Sequence, residues 1–222
     1  AWTTTPWTLP SNTALTVGKK IDYAVVRTKN RYTEEEGLVV LAEKLVETQF
    51  HKGPDFEVVG RCKGTDLVGL KYEQLIDWAQ PMDDPEQAFR VISGDFVTTE
   101  DGTGIVHTAP TFGADDALVA KAAGVPPMLV DDGTGHGIPL VDMQGRLLKG
   151  YGPLAGRFVK NEYYNEGEAP DKSVDVEIAI DLKTRGRAFK VEKYSHSYPH
   201  CWRTDKPILY FPLDSWFVKA TA

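Results

Sequence analysis

The sequence predicts a mainly β protein, a compact barrel-like fold of short strands with peripheral helices. Every strand candidate is short and bounded by Gly, Pro or Asp, and few segments have helical periodicity. The strand candidates are Ile21 to Thr28, Phe56 to Cys62, Arg90 to Val97, Ile105 to Thr108 and Pro127 to Val130. With 222 residues, 41% of them hydrophobic, the chain can bury a substantial core. We therefore expect one domain, residues 1–222, excised from a larger protein, because both ends have the character of cut ends.

The first twelve residues, A-W-T-T-T-P-W-T-L-P-S-N, place three threonines between two tryptophans and two prolines. Pro6 and Pro10 fix φ and disfavour the α conformation of the residue before them, so we expect an extended backbone that displays the hydroxyls. Alternation along a strand would put Thr3 and Thr5 on one face and Thr4 on the other. Ordinary β-propensity explains such a run equally well.

Three helices are predicted from periodicity and from start and stop signals. Thr33 and Glu36 have the spacing of a capping box, ahead of Leu38, Ala42 and Leu45 at helical intervals. A second helix is expected from Asp115 to Ala123, closed by Gly124, and a third from Lys172 to Arg185, closed by Gly186. In the third helix Val174, Ile178 and Leu182 share one face. The glycine-rich stretch Asp131 to Gly137 is predicted to be a mobile loop, and the last nine residues to continue a strand.

A second motif, G-T-G-I-V-H-T-A-P-T-F-G-A-D-D at residues 102–116, brings a histidine at a strand end close to two carboxylates at a helix start. The helix dipole favours the ionised carboxylate, so Asp116 is expected to stay charged and is suited to hold an ammonium group. Two plainer explanations stay open: Asp115 or Asp116 simply caps the helix, and His107 is a core histidine with satisfied hydrogen bonds. Because no nucleophile motif such as G-x-S-x-G is present, hydrolysis here would need an activated water.

Composition narrows the class of protein. The net charge of −7 argues against a free-standing nucleic-acid binder, which normally relies on clustered Lys and Arg. Two cysteines far apart, Cys62 and Cys201, form no disulfide framework and fit a reduced cytoplasmic compartment. We expect no membrane association. His196, His200 and Cys201 group three potential metal ligands without a fourth at short spacing, so zinc is not expected.

Three segments together resemble a known family. They are W-T-T-T-P-W-T-L-P-S-N at residues 2–12, G-T-G-I-V-H-T-A-P at residues 102–110 with Asp116, and Y-P-H-C-W-R at residues 198–203. They are similar to the editing domain inserted in class I aminoacyl-tRNA synthetases of the isoleucyl, valyl and leucyl group, most closely the isoleucyl type. The synthetic signatures H-I-G-H and K-M-S-K-S are absent. Many bacterial relatives have C-W-R-C where this chain has Cys201-Trp-Arg-Thr204, which is a further reason not to expect zinc.

The resemblance implies hydrolysis of the ester between valine and the terminal adenosine of isoleucine tRNA, with valyl-adenylate as a possible further substrate. By motif position, Asp116 would anchor the substrate ammonium and His107 would wall the side-chain pocket and exclude isoleucine. Asn12 would hold the ester end. The resemblance implies that Asp116, His107 and Thr5 are the catalytic residues. The residues implied to line the pocket are Thr3, Thr4, Thr5, Trp7 and Thr8. No cofactor is implied.

The implied partners are the 3′ end of isoleucine tRNA carrying valine and the remainder of the parent synthetase, with the domain itself monomeric. Two alternatives remain from the sequence. One is the same module from a valyl- or leucyl-type enzyme, against which His107 and Y-P-H-C-W-R argue. The other is a non-catalytic module that binds the tRNA end or an amino acid.

Overall fold

The computed structural model describes residues 1–51, 53–195, 197–213, 216, 218 and 220. Within this part of the chain, strand residues outnumber α-helical ones, and the strands form three small sheets, which confirms a mainly β fold with peripheral helices. The strands are β1 (Ala14–Val17), β2 (Asp22–Lys29), β3 (Glu36–Ala42), β4 (Phe56–Lys63), β5 (Arg90–Ser93), β6 (Ile105–Thr108), β7 (Leu129–Asp131) and β8 (Gly137–Pro139). The α-helices are α1 (Val46–Phe50), α2 (Gly64–Leu67), α3 (Ala114–Ala123) and α4 (Val174–Thr184). Short 3-10 helices cover Pro6–Ser11, Glu43–Leu45, Pro85–Gln87 and Asn161–Tyr163.

The sheet of β5, β1 and β6 positions the two motifs. β1 lies in the middle, parallel to β5 and antiparallel to β6, with Leu15 opposite His107. An isolated parallel bridge joins Trp2 to Val106, and the Trp2 N–H donates to the Ile105 carbonyl at 3.3 Å. The threonine run therefore starts beside the strand that carries His107.

The second sheet has the strand order β3-β2-β4. Its strand β3 occupies the segment after Thr33 for which a helix is predicted, so that prediction is wrong. The segment 36–42 pairs antiparallel with β2, with Val40 opposite Val25 and Val39 opposite Val26. The Asn30 carbonyl and side chain close the preceding turn, in which Glu34 has φ of 59°. The run of Leu and Val is better suited to this half-buried pleated surface than to a helix, and only the segments from Glu43 to Phe50 are helical.

The two longer predicted helices are confirmed. α3 ends at Gly124, whose φ of 67° is the left-handed conformation that glycine adopts most easily, and it packs on β1 and β5. α4 buries Val174, Ile178 and Leu182, and its N-cap Ser173 accepts a hydrogen bond from the Val176 N–H. These side chains pack against Trp7 and Leu9 of the first 3-10 helix.

The first 3-10 helix corrects the expectation of an extended backbone throughout residues 1–12. Thr5 is not helical, with φ of −129°, as its position before a proline requires. Pro6 is the first helical residue, where its missing N–H costs nothing and its fixed φ suits a helix. The Thr8 and Asn12 N–H groups donate to the Thr5 and Leu9 carbonyls and close the turns.

The remaining strand predictions differ in detail. β2, β4 and β6 lie where the sequence predicts them, whereas β5 stops at Ser93 and β7 begins at Leu129. β1, β3 and β8 were not predicted as strands. The glycine-rich stretch forms the tip between β7 and β8. The predicted C-terminal strand falls largely outside the described residues. Among the described residues, no helix combines the length and the apolar character needed to cross a membrane.

Candidate active site

The two motifs enclose one cavity of about 300 Å³. Its lining comes from the threonine run, from β6 and the Gly102 to Gly104 turn, and from the start of α3. The lining residues are Trp2, Thr3, Thr4, Thr5, Thr8, Phe96, Thr98, Asp101, Gly102, Thr103, Gly104, Ile105, Val106, His107, Ala109, Phe112 and Asp116. The structure therefore brings together six of the eight predicted site residues.

The threonine hydroxyls form a chain along the cavity wall. The Oγ1 atoms of Thr3 and Thr5 are 3.4 Å apart, and the Thr5 N–H donates to the Thr3 hydroxyl at 3.1 Å. Thr8 donates its own hydroxyl hydrogen to the Thr5 carbonyl at 2.8 Å and lies 3.4 Å from the Thr5 hydroxyl. Thr3 and Thr5 thus share a side as predicted, but Thr4 lines the same cavity, so the strict alternation expected of a strand does not hold in this segment.

His107 is fixed in a single neutral form. It is 7% exposed, with Nδ1 at 2.8 Å from the amide nitrogen of Asn12 and Nε2 at 2.9 Å from the Thr8 hydroxyl. Because an amide nitrogen only donates, Nδ1 accepts, and the ring proton lies on Nε2. Thr8 has already used its hydrogen on the Thr5 carbonyl, so it accepts from Nε2. Burial lowers the pKa of His107 to about 4.

Asp116 lies in the first turn of α3 and is partly buried. Its Oδ2 accepts the Ala109 N–H at 2.9 Å, which ties the helix to the end of β6. Oδ1 has no hydrogen-bond donor among the described residues. Burial raises the pKa of Asp116 above its usual value, the Ala109 N–H opposes this, and the neighbouring charge of Asp115 adds to the rise. A half-satisfied carboxylate in a cavity is equipped to bind a cation.

Two predicted site residues lie behind the wall of the cavity. The Trp7 ring is 3% exposed, packs edge-on against Phe112 with ring centroids 5.0 Å apart, and belongs to the core beneath α4. Its backbone N–H donates to Asp175 at 2.8 Å. Asn12 is 6% exposed and uses its amide on His107 and on backbone carbonyls. Both support cavity-lining residues instead of lining the cavity.

Several lining residues were missed by sequence reasoning. Trp2 and the Gly102 to Gly104 turn stand next to motif residues, and that adjacency is the signal that could have found them. Phe96, Thr98 and Asp101 come from the loop between β5 and β6, whose path no local pattern reveals.

No site among the described residues can hold a metal through three His, Cys, Asp or Glu side chains. Of the three potential ligands noted in the sequence, His196 lies outside the described residues. Cys201 lies in a turn closed by the Asp205 N–H, which donates to the Cys201 carbonyl at 2.8 Å.

No family model matches the chain. The chain is 51% identical over 253 residues to an isoleucine–tRNA ligase of Bacteroides fragilis strain YCH46, covering 100% of this chain and 22% of the ligase. It is 53% identical over 247 residues to that of Cytophaga hutchinsonii, covering 100% and 22%. It is 42% identical over 222 residues to that of Clostridium tetani, covering 100% and 18%.

The chain thus spans about a fifth of the length of the curated relatives that it matches. Among solved structures, the crystal structure of GlLeuRS-CP1 is similar with a TM-score of 0.41 and 18% identity, over 54% of this chain and 41% of that chain.

Proposed function

Because the chain belongs over its whole length to the isoleucine–tRNA ligase family, we propose that its cavity is a hydrolytic editing site. Its substrate is the ester that joins valine to the terminal adenosine of isoleucine tRNA. The observation that carries the proposal is the pairing of an unpartnered carboxylate oxygen of Asp116 with an immobile, neutral His107 in one cavity lined by threonine hydroxyls.

Asp116 binds the α-ammonium group of the substrate. One carboxylate oxygen is held by the Ala109 N–H, so the side chain is already oriented and the other oxygen is open toward the cavity. An ammonium group with three donors gains a charge-assisted hydrogen bond there. A cation in the cavity also favours the ionised form of this carboxylate, whose pKa burial raises.

His107 limits the size of the side chain that enters. Valine and isoleucine differ by one methylene, and attraction alone yields only about 1–3 kcal/mol from that difference, so discrimination has to come from refusing the larger side chain. A wall that refuses a methylene must not move. The ring is held at both nitrogens, and its low pKa keeps it neutral at pH 7.

The same hydrogen bonds argue against His107 as a general base. A base needs a free lone pair and a pKa near the working pH, whereas Nδ1 is occupied by Asn12 and the pKa is about 4. With Asp116 paired to the ammonium, the remaining polar groups of the wall are hydroxyls. Of these, the Thr5 hydroxyl has two long contacts of 3.4 Å and no other within the described part of the chain, so its hydrogen is free to orient the ester or the attacking water. In this proposal, water is positioned by these hydroxyls together with the ribose hydroxyl that the substrate itself brings.

The remainder of the ligase supplies most of the grip on tRNA. With a net charge of −7, the chain lacks the excess of cations that phosphate binding requires. Placement of the 3′ end in the cavity therefore depends on other parts of the protein. A cytoplasmic location and a monomeric state stay predictions.

The experiment incubates isoleucine tRNA charged with labelled valine with the chain at high concentration, with and without a chelator. We expect release of valine that is insensitive to the chelator. Binding of a non-hydrolysable valyl-adenosine analogue without any release of valine, from either the chain or the full-length ligase, would instead identify a binding module. Loss of release on adding the chelator would identify a metal hydrolase.

A further inference from the structure

Tyr72 lies outside every motif but contacts the hydrogen-bond network of the cavity. Its backbone N–H donates to the Phe89 carbonyl at 2.9 Å, and its ring packs edge-on against the Phe89 ring with centroids 6.2 Å apart. Its hydroxyl donates to Oδ1 of Asn12 at 2.6 Å. Tyr72 is not among the residues that line the cavity, so it acts only through Asn12.

The side chain of Asn12 is held on all sides. Its amide nitrogen lies 2.8 Å from the Ala14 carbonyl, 3.3 Å from the Thr108 carbonyl and 2.8 Å from Nδ1 of His107. Its Oδ1 has one donor among the described residues, the Tyr72 hydroxyl. Without that hydroxyl a buried acceptor is left unsatisfied, which is costly and drives the side chain to rearrange.

Four hydrogen bonds of this network form one chain in which each residue donates to the next. Tyr72 donates to Asn12, Asn12 donates to Nδ1 of His107, Nε2 donates to Thr8, and Thr8 donates to the Thr5 carbonyl. The network therefore runs from a tyrosine behind the sheet to the threonine wall of the cavity. If the amide of Asn12 were turned so that its oxygen faced Nδ1, Nδ1 would have to donate and Nε2 would accept from Thr8, and the bond from Thr8 to the Thr5 carbonyl would be lost.

We propose that Tyr72 is a positioning residue of this site: its hydroxyl fixes the amide of Asn12 and, through Asn12, the tautomer and orientation of the His107 ring. The proposal rests on the proposed editing function, because an accurately placed ring matters for refusing isoleucine. Burial keeps the pKa of Tyr72 well above its usual range, so the hydroxyl stays a donor throughout the neutral range.

Among the described residues, the His107 ring has few charged neighbours that could set its tautomer in place of Asn12. The charged residues that line the same cavity are Asp116 and Asp101. Neither carboxylate is hydrogen-bonded to the ring in the structure. The tautomer is therefore set by the direction of donation from Asn12.

The test is Tyr72→Phe, which removes the hydroxyl and keeps the ring against Phe89. Side-chain ¹⁵N shifts of the five histidines are recorded between pH 5 and 8, with His107 assigned by its loss in His107→Gln. We expect one neutral Nε2–H tautomer in the parent chain, and exchange broadening or a mixture of tautomers in Tyr72→Phe. The preference for valyl over isoleucyl ester should fall by about five- to tenfold, with a smaller change for valine itself.

The matched control is Tyr163→Phe, which removes a hydroxyl that donates to the Pro207 carbonyl at the same distance, 2.6 Å, away from the cavity. It should lower the unfolding midpoint by a comparable amount and leave the His107 shifts unchanged. Unchanged His107 shifts in Tyr72→Phe, or equal changes in both variants, would overturn the positioning role. The shifts are measured without tRNA, so an inactive parent chain would count against the editing function while the spectra still decide the role of Tyr72.

Discussion

Replacing Asp116 by Asn separates the ammonium-binding role of this residue from simple helix capping. The amide oxygen still accepts the Ala109 N–H, so the bond that ties α3 to β6 is kept. The charge facing the cavity is lost. A hydrogen bond to a charged group contributes about 1.5–3 kcal/mol net, which corresponds to a loss of about 10- to 150-fold in kcat/KM for valyl ester.

The stability of Asp116→Asn, unlike its activity, is not expected to fall. Burial raises the pKa of Asp116, so the ionised form is less favourable in the folded than in the unfolded chain, and folding loses stability as pH rises through the usual pKa toward the raised one. Asn avoids this penalty at pH 7. We therefore expect an unfolding midpoint that is unchanged or higher.

Asp115→Asn is the matched control, since Asp115 lies in the same helical turn, is exposed and is not among the residues that line the cavity. It should lose about 0.3–1 kcal/mol of helix-dipole stabilisation and keep full activity. The assays are deacylation kinetics and thermal unfolding on both variants. Lost stability with retained activity in Asp116→Asn would refute ammonium binding and leave Asp116 as a cap.

Four further predictions follow from the same cavity. His107→Ala should let isoleucyl ester be hydrolysed at a rate approaching that of valyl ester, and retained selectivity would refute the steric role. Thr5→Val should lower the valine deacylation rate by at least about tenfold while Thr5→Ser keeps most of it; equal rates in the two would remove the hydroxyl from the mechanism. The fold should lose up to about 3 kcal/mol between pH 6.5 and pH 4, because His107 binds its proton more weakly in the folded than in the unfolded chain, and His107→Gln should flatten that part of the stability curve measured by urea unfolding. Gly102→Ala should reduce activity, since φ is +71° there and a Cβ would lie 2.8 Å from the Trp2 ring that lines the cavity; wild-type kinetics would show that Trp2 can move without consequence.

Local patterns predicted those parts of the fold whose neighbours are close in sequence. The apolar face of α4, the glycine that ends α3 and the bounds of β6 all follow from residues within one or two turns. The prediction of a helix after Thr33 is wrong for the converse reason. Its spacing suits a capping box, but pairing with β2 decides its conformation.

The motif residues that line the candidate site could be predicted from the sequence, whereas the loop residues that line it and the residues that support it could not. His107, Asp116 and the threonines belong to compact motifs, and the structure brings them to one cavity. The sequence gives no indication that Asn12 lies behind His107. Its bond with Tyr72 joins residues sixty positions apart. Contacts of that kind depend on how the sheets pack, which no window of sequence contains.

The most direct test of the central claim compares the release of amino acid from two substrates, isoleucine tRNA charged with valine and the same tRNA charged with isoleucine, under identical single-turnover conditions. We predict rapid loss of valine and retention of isoleucine, with both the rate and the selectivity traced to this cavity by Asp116→Asn and His107→Ala. Equal rates for the two esters in the unmodified protein would contradict it.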